Sequence, residues 1–258
     1  MRIARFVVDS DPLYGIVEGE PGSEVVTVIK GDPFFHGVER TPMKHKLEDV
    51  RLLAPIIPRS KVIGVGRNFA EHARELGNEV PQQPLLFLKP NTSVIGPNDP
   101  IVLPEFSEDV SFEAELCVVI GRICKDVPEN RVDDVIFGYT CGNDLTARDV
   151  QKTDLQWARA KGFDTSAPLG PWIETELDTE DLRIQGRLNG ELRQDGSTSQ
   201  MIRGVRELVS LVSQAFTLLP GDVIMTGTPA GVGAVQAGDR YEVEIEGIGR
   251  LSNPVVRR

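Results

Sequence analysis

The chain has 258 residues and a formal net charge of −11, which leaves no basic footprint for nucleic acid or an anionic membrane surface. Hydrophobic residues at 40% and charged residues at 26% are the ordinary mix of a soluble globular chain long enough for one large domain or two unequal ones. Cys117, Cys124 and Cys141 form no CxxC pair and no apolar run reaches signal-peptide or membrane length, so the composition reads as reduced and cytoplasmic.

Residues 1–50 alternate in short runs (2–8, 13–18, 24–30) broken by Asp-Pro, Pro-Gly and Gly-Asp turns, the pattern of a small antiparallel β unit. LLAPIIPRS at 52–60 is apolar enough to need burial, yet its prolines forbid regular structure, so it reads as a packed connector. The organisation expected is a small N-terminal β domain with connector over 1–58 and a main domain over 59–258. That domain opens with KVIGVGRNFAEHARELG, residues 61–77, a short strand, a glycine turn and a short helix. Asn68 with Glu71 suggests an N-cap and capping box, and Gly77 a stop. His72 and Glu75 stand at i and i+3 on that helix, where a carboxylate can orient an imidazole for general-base work or merely form an exposed pair. Gly64 and Gly66 lack the third glycine of a dinucleotide fingerprint. LLFLKP at 85–90 is an apolar strand closed by Lys89-Pro90.

VSFEAELCVVIG, residues 110–121, reads as one strand. Its period of two puts Glu113 and Glu115 on one side with Cys117 and Val119 following. Two neighbouring carboxylates on a face that turns apolar need a cation, a shared proton or water. The local pattern suits either a metal site or the wet end of a half-buried strand. DVPENRVDDVIFG predicts a helix with Pro128 in its first turn and Val132, Val135 and Ile136 inward. YTCGNDLTARDVQ carries a strand into a turn at 142–144 and then a helical stretch for which Asp144 is the local N-cap choice. Lys161 ends a helix before a loop rich in Ser, Pro and Gly. Further on, Asn189-Gly190 marks a hairpin, and 204–219 predicts an amphipathic helix with Val205, Leu208, Val209, Val212, Phe216 and Leu219 inward. GDVIMTGTPAGVG at 221–233 is a buried strand entering a loop whose N–H groups and Thr228 hydroxyl can face an anion, or whose glycines serve a tight turn. The closing RYEVEIEGIG turns Tyr241, Val243 and Ile245 inward and Glu242, Glu244 and Glu246 to solvent.

In order, GRNFAEH with a following Glu, FEAEL, GYTCGNDLTARDVQ, AKGFDTSAPLGPW and GDVIMTGTPAGVG resemble the fumarylacetoacetate hydrolase family in its short single-domain form, over about residues 50–258. Phe69 stands where many members carry Tyr. The resemblance implies an α+β, mainly β fold, an FAH-type mixed β-roll with a small N-terminal β domain, in a homodimer. It also implies one Mg²⁺ or Mn²⁺ per subunit on Glu113, Glu115 and Asp144, and three hard oxygen donors without His or Cys suit those ions and not zinc. Family substrates carry a pyruvyl unit. The implied reaction is C–C cleavage of a small 2-oxo (di)carboxylic acid through a metal-stabilised enolate, by acylpyruvate hydrolysis or oxaloacetate decarboxylation. Isomerisation of 2-hydroxyhepta-2,4-diene-1,7-dioate is the alternative, and a non-catalytic dicarboxylate binder a remoter one. By motif position, His72 and Glu75 would activate a water and Lys161 would supply positive charge to the substrate. Gln151 and Thr228 would hold a carboxylate or water, and Arg148 would serve either the substrate or a structural ion pair. The helix bearing His72 would behave as a lid.

Overall fold

A computed structural model describes residues 1–9 and 11–257. Its spine is a 12-stranded sheet in which the buried strand Ala114–Ile120 lies between Ile136–Asn143 and Val223–Met225. Beyond Val223–Met225 come Val62–Gly66 and the edge strand Leu85–Lys89. On the other side, Ile136–Asn143 is followed by Ala167–Glu174 and then by the N-terminal strands Arg2–Val7, Leu13–Glu18, Val25–Ile29 and Arg40–Lys46. The N-terminal strands thus continue the central sheet, with Arg2 paired to Glu174 and Ile3 to Ile173. Most pairings are antiparallel; Val223–Met225 runs parallel to Val62–Gly66, giving a mixed sheet. Ala54 and Ile56 of the connector are buried as expected.

A five-stranded sheet packs beside the first, in the order Glu191–Ser197, Arg183–Leu188, Arg240–Ile245, Gly249–Arg257, Ile101–Leu103. Its hairpin turns at Asn189 and Gly190, with φ of 52° and 83°, the two positive values a type I′ turn requires. Tyr241, Val243 and Ile245 face the core, as the alternation predicts. The helix Val205–Ala215 buries Val205, Leu208, Val209 and Val212. It ends at Phe216, whose backbone is already extended, so Phe216 and Leu219 lie beyond it. Among the described residues no helix is long and apolar enough to cross a membrane.

Four local expectations are corrected by long-range contacts. The single strand 110–121 is two: Val110–Phe112 pairs with Thr146–Ala147 and Gly233–Ala234, and the ladder of the main sheet starts at Ala114. The break occurs because Glu113 N donates to Asn143 Oδ1 at 2.9 Å and Ala114 N to Gln194 Oε1 at 2.9 Å, so two consecutive N–H groups leave the ladder for side chains. The helix expected at 128–136 is a 3₁₀ turn, Glu129–Asp134, because β-branched Val135 and Ile136 turn the chain into the next strand. Asn68 caps nothing. The helix Ala70–Glu75 starts from Phe69 without a side-chain cap, while buried Asn68 donates to Arg203 O and Thr226 O and accepts from Arg203 N. Asp144 is not an N-cap either; the helix Arg148–Thr153 starts from Ala147, and the Asp144 carboxylate turns to two lysines.

Candidate active site

The strand break at Glu113, the end of Ile136–Asn143 and the loop after Val223–Met225 meet at one cavity of about 290 Å³. Glu113, Glu115 and Asp144 converge there, each offering an oxygen within 4.8 Å of the others, and all three are buried. Their surroundings differ. Glu113 accepts from Arg148 Nη2 at 2.5 Å on one oxygen and from Lys161 Nζ at 2.8 Å on the other. Asp144 accepts from Lys161 Nζ at 2.6 Å and from Lys89 Nζ at 2.5 Å. Glu115 has no cation against it among the described residues; its carboxylate accepts one hydrogen bond, from Gly227 N at 2.8 Å.

That asymmetry shows in the acidities. Burial would raise the Glu113 carboxyl, but Lys161 and Arg148 outweigh it and hold the group below the ordinary carboxylate range. Burial, followed by the Asp144 and Glu113 charges, pushes Glu115 well above that range. Burial lowers Lys89 in spite of Asp144, whereas Lys161, between two carboxylates, is raised against its burial. A divalent cation fits this donor set: three hard oxygens, one of them on a buried carboxylate with no counter-charge.

His72 is buried on the helix Ala70–Glu75, with Nε2 3.9 Å from Glu113 Oε1. Its Nδ1 is 3.5 Å from Glu75 Oε2 and has no hydrogen-bond partner, so the pair is adjacent without being bonded. Glu75 instead accepts from Gly231 N at 3.1 and 3.2 Å. Burial lowers the His72 pKa, with Glu113 pulling the other way, which leaves a neutral imidazole near neutral pH. Gln151 lines the cavity and its Oε1 accepts from Arg148 Nη1 at 3.0 Å; Arg148 therefore serves an internal ion pair first. The Thr228 hydroxyl donates to Ala114 O and accepts from Gln194 Nε2, which leaves one lone pair for anything else.

Sequence reasoning assigned no role to two residues of the site, Lys89 and Gln194, and a different one to a third, Asn68. Lys89 is fully buried and holds Asp144 from the edge strand; a cation closing an otherwise apolar strand was the available signal. Gln194 saturates both ends of its amide, accepting from Ala114 N and Tyr241 Oη and donating to Thr228 Oγ1 and Pro229 O. Asn68 ties the start of the His72 helix to Thr226. Gln194 carries no local signal, and the signal at Asn68 suited a helix cap.

The family model "Fumarylacetoacetate (FAA) hydrolase C-terminal" matches residues 61–256, and "Rv2993c-like, N-terminal" matches residues 1–55. The chain belongs to the fumarylacetoacetate hydrolase family. It is an enzyme of that family, and its mainly β architecture is the family fold. Protein Rv2993c of Mycobacterium tuberculosis is 48% identical over 268 residues, covering 100% of this chain and 99% of that protein. The crystal structure of 2-hydroxyhepta-2,4-diene-1,7-dioate isomerase from Mycobacterium marinum matches with a TM-score of 0.92 at 48% identity, covering 100% of this chain and 99% of that one. Oxaloacetate tautomerase fahd2, mitochondrial, of Xenopus laevis is 42% identical over 220 residues, 81% of this chain and 69% of that protein.

Proposed function

We propose that this family member acts on a small 2-oxo (di)carboxylic acid through the enolate of its pyruvyl unit, with Mg²⁺ or Mn²⁺ held by Glu113, Glu115 and Asp144. The observation that carries the reading is Glu115, a buried carboxylate with no cation against it, in one cavity with two carboxylates already ion-paired. A bound divalent cation would supply Lewis acidity to the substrate's carboxylate and 2-oxo oxygens.

The chain's own groups then have separable tasks. Lys161, held by Glu113 and Asp144, would supply positive charge to the oxygens on which charge develops, and Arg148 fixes Glu113. Neutral His72 is the group placed to take or return a proton at C3. Oxaloacetate decarboxylation needs only the return: the C3–C4 bond breaks, CO₂ leaves, the electron pair stays as enolate, and a proton drawn from solvent and relayed by His72 is added at C3. Acylpyruvate hydrolysis additionally requires His72 and Glu75 to draw together to activate a water. A second reading, proton transfer without C–C cleavage, is favoured by the unbonded His72–Glu75 pair and by the isomerase and tautomerase names of two relatives.

The test is pyruvate release from oxaloacetate and from acetylpyruvate, with Mg²⁺ or Mn²⁺ and after chelation, against Glu115→Ala protein as background. Metal-dependent pyruvate above that background is expected. No pyruvate, with metal-dependent loss of enol or diene absorbance, would replace cleavage by isomerisation. Equal rates in enzyme and Glu115→Ala would end both readings. A homodimer belongs to the same proposal, checked by sedimentation.

A further inference from the structure

Four side chains that carry positive charge line the cavity, and they fall into two pairs. Arg148 and Lys161 are engaged by Glu113 and Asp144. Arg67 and Lys152 line the same cavity with no carboxylate and no hydrogen-bond partner for their side chains among the described residues. Among the described residues, Arg67 is also one of five non-glycine residues with a positive φ, at 58°, a conformation uncommon for a long side chain. What flanks it imposes that backbone. Gly66 before it is paired with Leu85 at the end of Val62–Gly66, and buried Asn68 after it is held by Arg203 and Thr226 through three hydrogen bonds. The backbone that carries a cation no protein anion uses is thus fixed in the cavity wall, in the turn that enters the His72 helix.

We propose that Arg67, with Lys152 at the exposed mouth, binds the second carboxylate of the substrate and makes the enzyme selective for 2-oxo dicarboxylates over acids lacking that group. The inference rests on the reading above and names the part of the substrate that the three carboxylates and their metal do not touch. A planar guanidinium grips a carboxylate through two parallel N–H donors, whereas the flexible, solvated Lys152 contributes as a point charge. A cavity of about 290 Å³ holds one such molecule. Arg67 is engaged by no carboxylate of the cluster, so losing it acts on binding and not on the cluster.

The experiment is calorimetry with Mg²⁺-loaded protein and two unreactive ligands: oxalate, which offers only the chelating end, and 2-oxoglutarate, which adds a distal carboxylate. Arg67→Asn suits the position because Asn tolerates the left-handed backbone; Lys152→Gln is the second variant. Arg67→Asn should weaken 2-oxoglutarate by about 10-fold or more, the scale of a lost charge-assisted hydrogen bond, and leave oxalate within about 2-fold. Lys152→Gln should weaken 2-oxoglutarate by a smaller factor and leave oxalate alone. Equal effects on both ligands, no effect on either, or wild-type protein that binds oxalate and ignores 2-oxoglutarate would overturn the subsite while the 2-oxo acid reading stands. Wild-type protein that binds neither ligand with metal present would overturn both.

Discussion

Lys89→Met is the sharpest test of how the carboxylate cluster is balanced. Lys89 Nζ is 2.5 Å from Asp144 Oδ1, and both side chains are buried, at 0% and 1% exposure. Met fills nearly the same volume, so the perturbation is the lost charge. Removing one partner of a buried ion pair costs about 3–5 kcal/mol. Asp144 keeps Lys161 on its other oxygen, which puts the expected loss at the lower end, about 3 kcal/mol. For a chain of this size that is a fall in Tm of roughly 6–12 °C. Metal should reverse it selectively. A ligand at 100 times its Kd stabilises by about 2.7 kcal/mol, and the variant should gain more than the wild type because its Asp144 has surplus negative charge to offer. The assay is thermal and urea unfolding of both proteins after chelation and again with Mn²⁺. A metal-free Tm within about 2 °C of wild type, or equal stabilisation of the two proteins by Mn²⁺, would refute the balance argued for the site.

Glu115 supplies a pH test. Its folded pKa lies well above the ordinary 4.5, so above that pH the native state binds more protons at this site than the unfolded chain and metal-free stability falls as pH rises. Glu115→Gln should flatten the fall, seen as the difference between wild-type and variant urea midpoints from pH 5 to 8; parallel curves would contradict the assignment. Gln194→Leu leaves Ala114 N, Tyr241 Oη and the Thr228 loop without their partners; at about 1–3 kcal/mol per buried unpaired group it should cost at least about 3 kcal/mol in urea unfolding and lower turnover even where the protein still folds. Burial raises all three thiols, but Cys124 is partly exposed while Cys117 and Cys141 are enclosed. A thiol reagent should therefore modify Cys124 alone in native protein, and the other two only in denaturant, read by mass spectrometry.

How much of this was legible in the sequence follows from the range of the forces. Period-two alternation is local, so the shared side of Glu113 and Glu115 could be read directly, as could the Asn189-Gly190 turn and the inward row of Tyr241, Val243 and Ile245. The break between Phe112 and Ala114 could not, because it is made by Asn143 and Gln194, 30 and 80 positions away. Asn68 and Asp144 show the same limit from the other side. Each has a sequence neighbourhood that suits an N-cap, worth about 1 kcal/mol. Each meets buried partners in the folded chain that offer more: three hydrogen bonds for Asn68 and two ammonium groups for Asp144. Tertiary satisfaction of a buried polar group outweighs a local cap. Lys89 was visible only as a charge ending an apolar strand, since Asp144 lies 55 residues on.

On the proposed chemistry, the state of His72 would decide the fate of the enolate. Its Nδ1 has no partner, and the nearest carboxylate, Glu75, is 3.5 Å away and occupied by Gly231 N. An imidazole without a carboxylate behind it can shuttle a proton at C3, which isomerisation and decarboxylation require, but it is a poor activator of water. Hydrolysis therefore depends on closing a gap of a few tenths of an ångström, and the two sides of the gap are not equally free to move. Gly231 sits at φ 99°, and a Cβ there would lie 2.0 Å from Arg193 O, so its loop is wedged against the second sheet. The six-residue helix Ala70–Glu75 has no side-chain cap, and Glu71, Arg74 and Glu75 on it are exposed. Too short to be stable without tertiary contacts, it is the element that would yield. A substrate anchored at Arg67, three residues before the helix begins, would pull on that element directly, and the proposed subsite then predicts that the length of the substrate and the branch of the reaction are set by the same turn.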